Sequence, residues 1–230
     1  MIRVALLLLA FFPCIMAADL PKAPLAAREP HTHREHGVVR SDPYYWLRQR
    51  ENREVLDYLK AENSHTKAAM ADTKALQETL FKEIKGRIKQ DDDSYPVRWK
   101  NYLYYSRYTE GSEYPLYYRR RVGADETAGE ITFDVPALAK GHKFYDFDEG
   151  EVSPDEKLVA FSVDTEGRRI RTLQVKNLET GKILPDRIEK ADGGHAWAAD
   201  NQTLFYTRQE PETLREFQVW RHRLGTPPGD

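Results

Sequence analysis

The sequence predicts a mainly β protein with an N-terminal α-helical arm, the β part being the first blades of a β-propeller. Three observations carry this reading. From Trp99 onward the chain runs as short aromatic strands and tight turns. Ser153-Pro154-Asp155 and the strand after it recur as Ala198-Ala199-Asp200 and its strand, at an offset of about 45 residues. Apolar residues at helical spacing occupy residues 51–88 and stop where the strand pattern begins. A repeat of roughly 40–50 residues made of short strands is the mark of four-stranded propeller blades.

The first residues stand apart. Arg3 precedes an apolar run over residues 4–15, and Ala17 and Ala18 offer small side chains for cleavage. The run is short for a membrane span and polar sequence follows Asp19, so residues 1–18 read as a cleaved signal peptide. This predicts a periplasmic or secreted protein with no membrane attachment after cleavage. Cys14, the only cysteine, would leave with the signal, so no disulfide or thiol chemistry is expected.

Residues 19–90 are expected to form an N-terminal arm and two helices. The stretch 20–39 is rich in Pro, His, Arg and Glu and reads as an extended arm. Asp42-Pro43-Tyr44-Tyr45-Trp46-Leu47 is a compact aromatic anchor that must pack on something. A helix over about residues 51–71 carries Val55, Leu56, Leu59, Ala69 and Met70 at helical spacing, interrupted by Asn63. A second, over about 74–88, presents Leu76, Leu80, Phe81, Ile84 and Ile88 as one stripe. Glu78 with Lys82 and Glu83 with Arg87 add i,i+4 pairs.

Residues 91–230 are expected to hold two to three blades. Hairpins are read at 102–108 with 114–121, at 158–163 with 170–176, and at 203–208 with 217–223. Asn177-Leu178-Glu179-Thr180-Gly181 is the turn between the third and fourth strands of one blade. Propellers need at least four blades to close, so these residues read as the opening part of a truncated ring. Open strand edges would otherwise be left at both sides.

A formal net charge of −2 leaves no basic excess for neutralising phosphates, which excludes a nucleic-acid binder of that kind. The candidate site residues have simple structural readings. No G-x-S-x-G occurs, and Ser112 and Ser153 both sit in turns. Asp155 and Asp200 recur at matching blade positions and read as turn formers. His31, His33 and His36 form the one close histidine group, short of the four ligands of a structural zinc site. His195 reads as a blade-entry residue and Asp91 to Asp93 as a solvated helix exit. Arg168, Arg169 and Arg171, with Arg119 to Arg121, read as exposed blade faces or inter-domain contacts. No catalytic, cofactor-binding or metal residue is assigned.

The residues resemble a known family. Asp42-Pro43-Tyr44-Tyr45-Trp46-Leu47 with Leu59-Lys60-Ala61-Glu62-Asn63 is similar to the amino-terminal signature of the prolyl oligopeptidase family of serine peptidases, and to its oligopeptidase B (protease II) branch. Glu83-Ile84-Lys85-Gly86-Arg87-Ile88, Tyr105-Ser106-Arg107-Tyr108, Glu113-Tyr114-Pro115, Val152-Ser153-Pro154-Asp155, Ser162-Val163-Asp164-Thr165, Trp197-Ala198-Ala199-Asp200-Asn201 and Val219-Trp220-Arg221-His222 continue it in register. It departs from the pattern at Arg48-Gln49-Arg50, where acidic residues are usual. The resemblance implies a seven-bladed propeller capping an α/β-hydrolase domain, the helices packing on that domain. It implies hydrolysis of short peptides after Arg or Lys, the propeller restricting substrate size and a carboxyl-terminal domain carrying the triad. On this reading residues 1–230 alone are inactive, and their partners are short peptides and the hydrolase domain. The alternatives are a stand-alone binding or scaffold module and a prolyl-specific member of the family.

Overall fold

The computed structural model describes residues 22–227, so the signal-peptide reading of residues 1–18 lies outside the described residues. The chain separates into two compact units, divided between Ile88 and Lys89.

The first unit opens on a hairpin of β1 (Thr32–Glu35) and β2 (Val38–Ser41). Part of the extended arm is therefore sheet, a correction to the irregular reading of residues 20–39. His36 and Gly37 both take positive φ, 49° and 78°, the backbone that matches a two-residue turn to the twist of its strands. The aromatic anchor forms a short 3₁₀ turn, Tyr45–Arg48. Trp46 is buried there, its indole N–H donating to the Ala27 carbonyl at 2.9 Å. Helix α1 (Arg53–Ala69) starts at Asn52, whose side chain accepts the Glu54 N–H at 2.9 Å. Such a cap contributes about 1 kcal/mol. Helix α2 (Lys74–Gly86) presents the expected stripe to solvent, Leu76, Leu80 and Ile84 all being exposed. Of the two i,i+4 pairs only Glu83–Arg87 forms.

The second unit is a series of antiparallel up-and-down sheets. One has the order β3 (Val97–Trp99), β4 (Tyr102–Arg107), β5 (Leu116–Arg121), β6 (Glu130–Asp134). After the one-turn helix α3 (Val135–Ala139) comes the second: β7 (Asp146–Asp148), β8 (Leu158–Asp164), β9 (Arg171–Asn177), β10 (Ile183–Ala191). The third holds β11 (His195–Trp197), β12 (Thr203–Gln209) and β13 (Glu216–Arg223). The three expected hairpins are present, and five further strands extend them to two four-stranded sheets and one of three strands. The sheets do not close a ring among the described residues.

Two apolar clusters bind the blades face to face, and β8 belongs to both. Strand alternation sends Val159, Phe161 and Val163 towards Phe133 and Val135 of the preceding blade. Ala160, with Leu173 and Val175 of β9, faces Leu204 and Tyr206 of the following one. A strand buried on both faces loses the polar alternation of a surface strand, which explains the unbroken run Leu158-Val159-Ala160-Phe161.

Candidate functional site

The residues singled out in the sequence hold the blades together. The Ser153 hydroxyl is buried, donating to Asp155 Oδ1 at 2.7 Å and accepting the Leu158 N–H at 3.0 Å. Asn201 Oδ1 accepts the Asp155 N–H at 2.9 Å, so equivalent turns of neighbouring blades are bonded to each other. Burial raises the Asp155 carboxyl, but the Ser153 hydroxyl and Lys157 outweigh it and leave it below the usual range. Asp200 is held low by the Gln202 N–H and by Thr203. Ser112 donates to the Tyr114 carbonyl at 2.6 Å within the β4–β5 turn. Neither serine is bonded to a histidine, and the sequence reading of both as turn residues describes their geometry.

Two of the three clustered histidines, His31 and His33, lie edge to face with ring centroids 4.4 Å apart. His31 stacks on Tyr45 at 3.7 Å between ring centroids, with His33 edge-on at 4.5 Å, whereas His36 sits apart in the hairpin turn. Among the described residues no group of three or more His, Cys, Asp or Glu side chains is placed to hold a metal. His195 donates from Nδ1 to the Gly193 carbonyl at 2.9 Å, beside Gly150 of the preceding blade. Asp93 forms a two-pronged pair with Arg107, both contacts 2.8 Å, rather than a free solvated exit. That pair lowers its pKa.

The arginine reading needs a correction. Arg119 is buried, not exposed: it pairs with Glu130 at 2.5 Å, donates to the carbonyls of Glu156 and Leu178, and lies over the Tyr102 ring. Strand alternation points it into the contact between the first two blades. Arg171, largely buried as well, pairs with Asp146. Arg168 reaches the Pro211 carbonyl in the next blade at 3.1 Å.

Two features escaped the sequence reading. His222, fully buried, meets Asp186 of the preceding blade at 2.8 Å, and the Gly225 N–H joins the same oxygen at 2.7 Å. Only its place in an alternating strand hinted at burial. The second feature is Glu149, in the β7–β8 connection. Burial, with the Asp148 charge beside it, pushes its carboxyl up to about 7. Nothing in Asp148-Glu149-Gly150-Glu151 separates this residue from an ordinary acidic turn.

Two hollows open in the contact between the first two blades. A cleft of about 810 Å³ lies between the β4–β5 turn and the segment from α3 into β7, walled by Tyr108, Tyr114, Phe144 and Tyr145, with Lys140 and His142. A recess of about 200 Å³ lies between β3–β4 and the β7–β8 connection, walled by Trp99, Tyr104 and Glu149. Tyr117 lies in the cleft, and burial followed by the Glu149 charge raises its hydroxyl to about 12. Aromatic walls with a few polar groups are the usual lining of a ligand-binding hollow.

Comparison with known proteins agrees with this architecture. Residues 24–230 match the family model described as prolyl oligopeptidase, N-terminal beta-propeller domain. Dipeptidyl aminopeptidase BI of Pseudoxanthomonas mexicana is 43% identical over 89% of this chain and 31% of its own length. Protease 2 of Moraxella lacunata is 31% identical over 89% of this chain and 30% of its own. The structure of oligopeptidase B from Leishmania major superposes with a TM-score of 0.78 at 31% identity, covering 89% of this chain and 31% of that one. The chain thus spans about a third of the length of the relatives it matches. Its blades, its inter-blade bonds and this match together place it: the chain belongs to the prolyl oligopeptidase family, as part of the amino-terminal β-propeller of its S9 peptidases.

Proposed function

We propose that these residues form the opening blades of a propeller that limits access to a serine peptidase cutting short peptides after Arg or Lys. The α/β-hydrolase domain with its Ser-His-Asp triad belongs to further sequence of the same polypeptide. The observation that carries this reading is the in-register likeness, at 31% identity, to Protease 2 and to oligopeptidase B. The physical complement is that blades stacked through their faces make a rigid wall, and a rigid wall excludes folded proteins while admitting extended chains. The test is hydrolysis of amino-blocked Arg, Lys and Pro reporter peptides by protein made from the complete coding sequence. Cleavage after Arg and Lys is expected, and absence of cleavage with an intact fold would overturn the proposal.

A second reading is favoured by the 43% identity to a dipeptidyl aminopeptidase. On it the enzyme removes dipeptides from free amino termini. Comparing acetylated with free-amine reporters separates the two, since acetylation abolishes only the second activity. We also propose export through residues 1–18, on the apolar run over 4–15 and the small residues at 17 and 18. Mass spectrometry of the soluble protein should find a mature terminus near Asp19, and an intact Met1 would refute it.

A further inference from the structure

The recess between the first two blades holds a carboxyl that the fold does not use. Acidic side chains that bind the blades have donors: Asp155 and Asp164 take backbone N–H groups, Asp186 takes His222, and Glu130 takes Arg119. Glu149 has none. Its carboxyl is shifted by burial and by the Asp148 charge alone, with no hydrogen bond contributing. A partly buried acid without a donor is costly unless something else supplies one. The walls around it are of the matching kind. Trp99 and Tyr104 present aromatic rings, Val97 and Val152 add apolar surface to a recess open to solvent, and the Tyr104 hydroxyl is buried beside the Arg119 guanidinium. Gly150, at φ 68°, bends the chain so that Glu149 lines the recess. Lys100 Nζ lies 5.9 Å from the Trp99 ring centroid, at the limit of cation–π range, so the exposed indole has a face within reach of a cation.

We infer that this recess is a binding site for the primary ammonium group of a peptide, with Glu149 as counter-ion and Trp99 and Tyr104 as its aromatic walls. The inference rests on the reading that peptides reach the blades. A volume of about 200 Å³ takes an ammonium with a few methylenes, not a whole peptide, so the site holds one end or one side chain. Other charges face it without closing it. Asp148 adds negative potential from the same connection, Glu151 lies on the rim, and Tyr104 and Tyr117 are neutral at physiological pH. Arg119 is committed to Glu130 and two carbonyls, and Lys100 to the Pro154 carbonyl.

Protein from the complete coding sequence, labelled with 5-fluorotryptophan, tests this by ¹⁹F NMR, Trp99 being assigned through Trp99→Phe. N-acetyl-lysinamide offers a side-chain ammonium and glycyl-glycinamide an amino-terminal one; neutral N-acetyl-norleucinamide is the control. At least one ammonium probe is expected to shift the Trp99 resonance saturably, the control not. Which probe binds more tightly names the source of the ammonium. Glu149→Gln should weaken that binding at least tenfold, and lowering the pH from 8 to 6 should weaken N-acetyl-lysinamide binding about tenfold as the carboxyl takes up its proton, but glycyl-glycinamide binding only about four- to fivefold, because its own amino group gains charge over the same range. Equal shifts from norleucinamide, no shift from either ammonium probe, or unchanged affinity in Glu149→Gln would overturn the site. Reporter hydrolysis on the same preparation keeps the readings apart: activity without Trp99 binding sinks only this inference, and binding without activity sinks only the peptidase reading.

Discussion

Equivalent positions of the second and third blades have different fates. Phe161 of β8 and Tyr206 of β12 occupy the same repeat position, and both are buried against the preceding blade. One residue earlier, Ala160 is fully buried against the following blade, whereas Phe205 is 42% exposed with no described strand beyond it. The sequences of the two strands are alike in strand character, so the contrast comes from the neighbour and not from the strand. A blade is a unit with two apolar faces, and each face is stabilised only when the next blade is stacked on it. The third sheet, with its three strands, shows what one such partner is worth.

The sharpest way to break this comparison is Phe161→Ala, which removes a ring packed 4.9 Å from Phe133 between two blades. It should cost about 3–5 kcal/mol in urea unfolding followed by tryptophan fluorescence, because a close-packed site cannot collapse onto the cavity. A loss under about 1 kcal/mol would mean that the blades do not depend on face-to-face packing.

Glu149→Gln sharpens the same contrast from the polar side. The folded-state pKa, about 7, lies above the ordinary 4.5, so the native state holds its proton more tightly than the unfolded chain does. The stability this confers is complete below about pH 4.5 and is lost as pH rises through about 7. Gln mimics the protonated acid. The variant should therefore match the parent at pH 4 and exceed it at pH 8 by up to about 3 kcal/mol. Equal stability at both pH values would show that the carboxyl is not desolvated.

Asp186→Ala strips the partner from the fully buried His222 and from the Gly225 N–H, between the second and third blades. The expected loss is about 1–3 kcal/mol, with faster amide exchange in β13. Smallest of all is Val219→Thr, on the uncovered face of β13, where the side chain is 76% exposed. It should stay within about 0.5 kcal/mol. A larger effect would reveal a partner already seated on that face.

Strands with a clear two-residue period and a turn signal were legible: β4–β5, β8–β9 and β12–β13 each lie within a residue or two of their expected ranges. The strands that escaped did so for physical reasons. β3, β7 and β11 have three residues each, too few to display a period. β10 carries Pro185 at a register shift, which reads locally as a break. The β1–β2 hairpin is largely exposed, and its two apolar residues, Val38 and Val39, are adjacent, so it lacks the apolar alternation that marks a half-buried strand. Its His36-Gly37 turn was the one available sign. Of the inter-blade recess, Trp99 and Tyr104 were visible as strand aromatics. Glu149 was not, because its surroundings come from β3 and β4, about 45 to 52 residues earlier in the chain.

The sequence by itself determined the local elements: two helices with their apolar stripes, the turns at Asp155 and Asp200, and a blade repeat recognisable as that of an S9 propeller. These are properties of neighbouring residues, written in propensity and period. Only the tertiary structure decided that Arg119 and His222 are buried bonds between blades, that Ala160 is covered while Phe205 is not, and that Glu149 faces aromatic walls without a donor. Burial and the pKa shifts that follow from it are set by whatever residue lies across the contact. That residue comes from another blade, beyond the reach of any local pattern.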